Sequence, residues 1–99
     1  MEVNAVRITG LVKELKAPRT SPAGVVHREM ILENRSVQTL DGQLREVRAL
    51  VTVKVTGDGL AQQVAGLVPG NRITVGGMLA QASHRDTQQL LIHAQAIER

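Results

Sequence analysis

Few side chains in this sequence could carry chemistry, and they are scattered. His27, His84 and His93 fall in the separate stretches "VVHRE", "ASHRD" and "LIHAQ", without the paired spacing that metal sites use. Ser21, Ser36 and Ser83 lack a nucleophile-elbow motif, and no pair of carboxylates stands in a pocket-like pattern. "GDG" at 57–59 and "GG" at 76–77 are too short to cradle phosphates as a P-loop does, and read as turns. There is no cysteine, which excludes disulfides, thiolate ligands and thiol nucleophiles and gives no sign of an oxidising compartment. The expectation is a protein that is not an enzyme and holds no metal or cofactor. Positive charge is what remains: 12 Lys and Arg against 9 Asp and Glu give +3, with a sequence pI near 10.2, a balance that favours an anionic partner.

The elements that must position this charge are readable from periodicity. In "LREVRALVTVKV", Leu44 to Val55, one alternating set is Val47, Ala49, Val51, Val53 and Val55, and the other is Glu46, Arg48, Leu50, Thr52 and Lys54. This is a half-buried antiparallel strand with a polar outer face. An earlier strand, "VNAVRITGLVKEL", puts Val6, Ile8 and Val12 on one side and Arg7 and Thr9 on the other; Gly10 marks a bulge or a bend. A polar loop, "KAPRTSPAG", carries Lys16 and Arg19. In "VVHREMILENRSVQ" Val26, Met30 and Leu32 point inward and Glu29, Ile31, Glu33 and Arg35 outward, with Arg28 on the inward set at a bulge or rim. Asp41-Gly42 turns this strand into the long one. Asp58 is a candidate N-cap for a short amphipathic helix with Leu60, Val64, Leu67 and Val68 on one stripe, ended by Pro69-Gly70. "NRITVGGMLAQ", the loop "ASHRDTQ" and "QLLIHAQAIE" complete the chain.

The order is three strands, a helix and two strands in a single domain, residues 1–99. It predicts an all-β, five-stranded OB-fold Greek-key barrel with one short helix between the third and fourth strands, whose second and third strands form the expected binding face. The amino-terminal stretch has neither a basic leader nor a long apolar run, so the expectation is a soluble, cytoplasmic protein with no membrane association.

"SPAGVVH", "LENRSVQ", "NRITVGG" and "IHAQ", in this order and at these separations, make the chain resemble the bacterial primosomal replication protein N family, single-domain relatives of the single-stranded DNA-binding proteins. The most specific of these is "LENRSVQ", Leu32 to Gln38. The resemblance implies a homodimer that binds single-stranded DNA in replication restart, with the primosomal helicase and further loader proteins as partners. It implies DNA contacts from Arg19 in the first long loop, Arg35 at the end of the second strand, Arg45 and Arg48 on the third, and His84 and Arg85 in the last loop; Lys54 joins them by its place on the polar face.

The sequence departs from that family in having no Phe, Tyr or Trp. Positions matching Gln43 and Arg48 are aromatic in some members. Base stacking on an aromatic ring is worth about 1–3 kcal/mol per base, so binding here must lean on phosphates, with Arg48 able to stack through its guanidinium plane. The expectation is weaker, more salt-sensitive and less base-selective binding. Three further readings stand beside it. Arg48 and Lys54 can be neutralised by Glu33 and Glu29 across the hairpin, the same face can serve an adaptor acting mainly through protein contacts, and Ile31 with Leu50 can form a small apolar patch. A general single-stranded DNA-binding protein would be expected to carry a disordered tail with an acidic tip, whereas this sequence reads "AIER" after its last strand.

Overall fold

Alternating aliphatic residues fold each polar-and-apolar stretch into a strand, and closing those strands on one another buries the apolar set. The computed structural model describes all 99 residues. Its elements are β1 (Val6–Leu15), β2 (Arg19–Thr20), β3 (Val26–Leu40), β4 (Gln43–Thr56), α1 (Asp58–Val64), β5 (Arg72–Gln81) and β6 (Leu90–Glu98). The sheet runs β1-β5-β6-β4-β3-β2 and closes through β1–β3. All pairings are antiparallel except the short β4–β6 contact at Val53↔Ile92 and Lys54↔His93. The expected five strands thus form a closed barrel, and the loop after the first adds a two-residue strand, β2, along the free edge of β3.

Gly10 and Lys13 make the barrel corner. β1 pairs with β5 as far as Leu11 and with β3 from Leu11 onward. A Cβ on Gly10 would collide with the backbone carbonyl of Glu33, so the two strands approach this closely only because the residue is glycine. The register then shifts between Val12 and Glu14, leaving Lys13 as the extra residue of a bulge. Arg28 is at the rim: its Nε and Nη2 donate to the Lys16 carbonyl at 3.2 and 2.9 Å.

The core is aliphatic throughout: Val12, Met30, Leu32, Val53, Val55, Val64, Leu67, Ile73, Val75 and Ile92 form one cluster. α1 places Val64 into it, and Leu67 follows from the turn beyond. The helix is shorter than its apolar stripe suggested, and Val68 is exposed. Asp58 lies inside the first turn, where its charge suits the helix dipole, while Gly57 is the N-cap with φ 96°. Gly57 also donates its N–H to the Val26 carbonyl at 2.8 Å, tying the helix start to β3.

Beyond the barrel, the β3–β4 hairpin continues as a two-stranded arm. Asp41 (φ 52°) and Gly42 (φ 74°) turn it between Leu40 and Gln43, the positive-φ pair of a tight hairpin. Val53 and Val55 are buried, but Val47, on the same alternating set, is exposed because no strand covers the arm.

Candidate nucleic-acid interface

The outer face of the hairpin is set by its register. Glu29 lies opposite Lys54, Ile31 opposite Thr52, Glu33 opposite Leu50, Arg35 opposite Arg48, and Val37 opposite Glu46. Directly opposed residues share a face, so Arg35 and Arg48 stand side by side on the exposed surface. Two like charges in that position repel, and Glu33 offsets the repulsion.

Glu33 is the main departure from the sequence expectation, which placed it outward in solvent. It is only 5% exposed, because β1 crosses over at the corner and Leu11 pairs against it. Its carboxylate accepts from Arg48 Nε at 2.5 Å, with Arg35 Nε at 3.6 Å and Lys13 Nζ at 3.8 Å. The Arg48 hydrogen bond holds the Glu33 carboxyl below the usual carboxylate range despite the opposing effect of burial, and the charges of Arg48, Lys13 and Arg35 act in the same direction. A buried carboxylate that anchors three cations leaves a surplus of two positive charges at the surface. Only Nε of Arg48 is engaged, and its side chain is more than half exposed, so the rest of its planar fork is free to meet a phosphate or a base plane. Arg72 joins Arg35 and Glu33 around a recess of about 100 Å³ beside Gly10.

The other expected contacts are spread around the molecule. Lys54 faces Glu29 at 3.8 Å, as the cross-strand reading anticipated. Arg19, on β2, pairs with His27. Arg45 is on the opposite face of the arm from Arg48; it lies across from Gln38, and its Nη2 donates to Gln43 Oε1 at 3.1 Å. His84 and Arg85 are exposed in the β5–β6 loop. Asp86 accepts the Gln89 N–H at 3.2 Å through Oδ1, while its own N–H donates to Ser83 Oγ. His27, His84 and His93 lie on β3, in this loop and on β6. The structure therefore brings Arg35 and Arg48 together and keeps Arg19, Arg45, Lys54, His84 and Arg85 apart from that pair. Lys13 and Arg72 were missed. Lys13 had a signal, since it continues the outward alternation of Arg7 and Thr9; Arg72 reaches the face only through the β1–β5 pairing.

Leu50 is exposed and Ile31 half-buried on this face, one register step apart, and exposed Val37 and Leu44 continue the apolar character toward the tip.

A six-stranded sheet closed into a small barrel, with a charged hairpin projecting from it, defines an OB-type binding module, and comparison with known proteins agrees. The chain superposes on the PriB structure from Ralstonia solanacearum with a TM-score of 0.86 at 21% identity, covering 99% of this chain and 98% of that one. It superposes on the single-stranded DNA binding protein of Thermus aquaticus with a TM-score of 0.78 at 23% identity, covering 97% of this chain and 49% of the other. At these identities the likeness shows the fold. Residues 4–96 match the family model described as "another single-strand binding protein family". The replication restart protein PriB of Actinobacillus succinogenes is 32% identical over 98 residues, 96% of this chain and 89% of that protein, and that of Proteus mirabilis is 28% identical over 99% of this chain and 94% of its own length. The chain belongs to this single-strand binding protein family and, within it, to the replication restart PriB group.

Proposed function

We propose that this protein is a non-enzymatic accessory protein of replication restart that binds single-stranded DNA across the outer face of β3–β4 and assists the primosomal helicase, acting as a homodimer in the cytoplasm. The observation that carries the reading is the Glu33-anchored cluster of Lys13, Arg35 and Arg48, three cations gathered around one buried carboxylate with their side chains at least half exposed. Such a surface tracks phosphates without reading sequence. Arg19 and Lys54 extend it toward the barrel rim, Arg45 would contact a strand wrapping around the arm, and His84 with Arg85 would meet one passing the β5–β6 loop.

Fluorescence anisotropy of a labelled single strand at several salt concentrations, with labelled duplex in parallel, tests this. The expected result is preference for the single strand and a steep fall in affinity with salt. Equal affinity for duplex, or no binding at low salt, removes the reading. Light scattering on the eluting protein should give twice the 10.7 kDa chain mass.

The exposed Val37, Leu44 and Leu50 beside these cations favour a second reading, an adaptor whose hairpin docks mainly on protein, with weak DNA binding. Arg48→Ala separates the two. Weakened DNA binding with the helicase contact retained supports the first, and the reverse supports the second.

A further inference from the structure

We propose that a recess at the barrel rim, between β2 and the lower ends of β3 and β4, is a discrete binding site for a phosphate group. It is about 200 Å³ and is lined by Lys16, Arg19, His27, Arg28, Glu29 and Lys54, with Ala17 as its apolar residue. Lys16, Arg19, Arg28 and Lys54 bring four positive charges to its walls against the single carboxylate of Glu29.

That carboxylate is already shared. Lys16 Nζ lies 3.5 Å from one of its oxygens and Lys54 Nζ 3.8 Å from the other, both longer than a strong charge-assisted hydrogen bond. Arg28 spends its fork on the Lys16 carbonyl, and the Lys16 N–H donates to the Glu29 carbonyl at 2.9 Å, so the wall carrying Lys16 is fixed from both sides. Arg19 is held beside His27 by the β2–β3 pairing and has no carboxylate partner. His27 Nδ1 faces Thr56 Oγ1 at 3.4 Å. Two lysines and two arginines line one recess against a single carboxylate and leave a surplus of positive charge, which an entering anion offsets. A tetrahedral phosphate suits the site because its several oxygens can accept from Arg19, Lys16 and Lys54 at once, without displacing Glu29 from both lysines.

The position is informative. Glu29 and Glu33 project on the same face of β3 four residues apart, about 13 Å at the usual strand rise, so the recess continues the line of the Glu33 cluster. The source of the phosphate rests on the single-strand reading above; the site itself does not. The phosphate is either a terminal monoester, whose second charge the surplus favours, or an internal diester of a passing strand.

The test follows backbone amides by NMR while inorganic phosphate is added at constant ionic strength, with chloride as control. Saturable shifts at Arg19, His27, Arg28 and Lys54 are expected with phosphate and not with chloride. Arg19→Ala, on an exposed two-residue strand, should abolish saturation while the rest of the spectrum stays in place; Lys54→Met provides a second variant from another wall. The same variants are then titrated with single strands bearing a 5′-phosphate, a 3′-phosphate or hydroxyl ends. A preference for one phosphorylated end that Arg19→Ala removes identifies a terminal monoester. Equal affinities, with a salt slope shallower by about 0.7 in Arg19→Ala, identify an internal diester. Linear shifts indistinguishable from chloride overturn the site, as does saturable phosphate binding with an Arg19→Ala salt slope and end preference identical to wild type. In either case, if wild-type single-strand binding is intact the interface reading survives, and if it is absent that reading falls too.

Discussion

Glu33 sets the character of the proposed interface by drawing its cations together while subtracting one charge from them. Glu33→Gln keeps the shape and removes the charge, so its two effects run in opposite directions. The Arg35–Arg48 pair loses its counter-ion, and the melting temperature at neutral pH should fall. The incoming phosphates lose a repulsive neighbour, and single-strand affinity at low salt should rise. The pH dependence has a defined sign. Because the folded-state pKa is lowered, the stabilisation is fully present above the carboxylate's unfolded value and disappears as the pH falls through its folded value. Wild-type and Glu33→Gln melting temperatures should therefore differ at neutral pH and converge in acid; thermal unfolding across that range checks it, and a constant difference would remove the ion cluster as the cause. Gly10 is the companion residue. Gly10→Ala would drive a methyl into the Glu33 carbonyl and should cost on the order of 1–3 kcal/mol in urea unfolding, the usual range for forced overpacking. The alternation in "VHREMILENR" gave the right faces for Met30, Leu32, Ile31 and Arg35, yet it could not show that Glu33 is buried. That depends on where β1 turns the corner and on the Lys13 bulge, both decided by pairing with other strands.

At the scale of elements, the β3–β4 hairpin is half barrel wall and half free arm. Period-two alternation runs unbroken from Val55 back to Val47, and so the sequence shows which face is apolar without showing where the barrel stops covering it. The same limit explains the helix: its apolar stripe runs to Val68, while the structure needs only α1 and the turn carrying Leu67 to close the barrel end. By contrast, the order of the elements, the Asp41-Gly42 turn and the presence of Glu33 and Glu29 as cross-strand partners for Arg48 and Lys54 were all legible, since each depends on local spacing or on a register that a tight turn fixes. A two-stranded ribbon without a covered face is marginal in water, so amide exchange should be fast from Arg35 to Arg48 and slow where Met30, Leu32, Val53 and Val55 enter the core. Adding single-stranded DNA should slow exchange in the arm selectively. Protection confined to the β5–β6 loop would move the interface away from the hairpin.

The whole molecule is an elongated body of 50 × 32 × 23 Å with a net charge of +3 and no aromatic ring to stack on a base. Phosphate contact must therefore carry nearly all of any single-strand affinity, and each contact adds about 0.7 to the log–log salt slope on single strands. Replacing Arg35 and Arg48 together by alanine should make that slope shallower by about 1.4, while a change confined to stacking should leave it untouched. Leu50→Trp provides that second case. The position is exposed on the outer face opposite Glu33, so the indole would stand beside the cation cluster without entering the core. If a bound strand crosses this face, affinity should rise by up to about 1–3 kcal/mol per stacked base at an unchanged salt slope, and the new tryptophan, alone in the protein, should report binding by fluorescence quenching. A tryptophan that neither quenches nor strengthens binding, in a variant that still binds single strands with the wild-type slope, would mean that the strand runs elsewhere. The arm with Leu50, Leu44 and Val37 would then be a surface for protein.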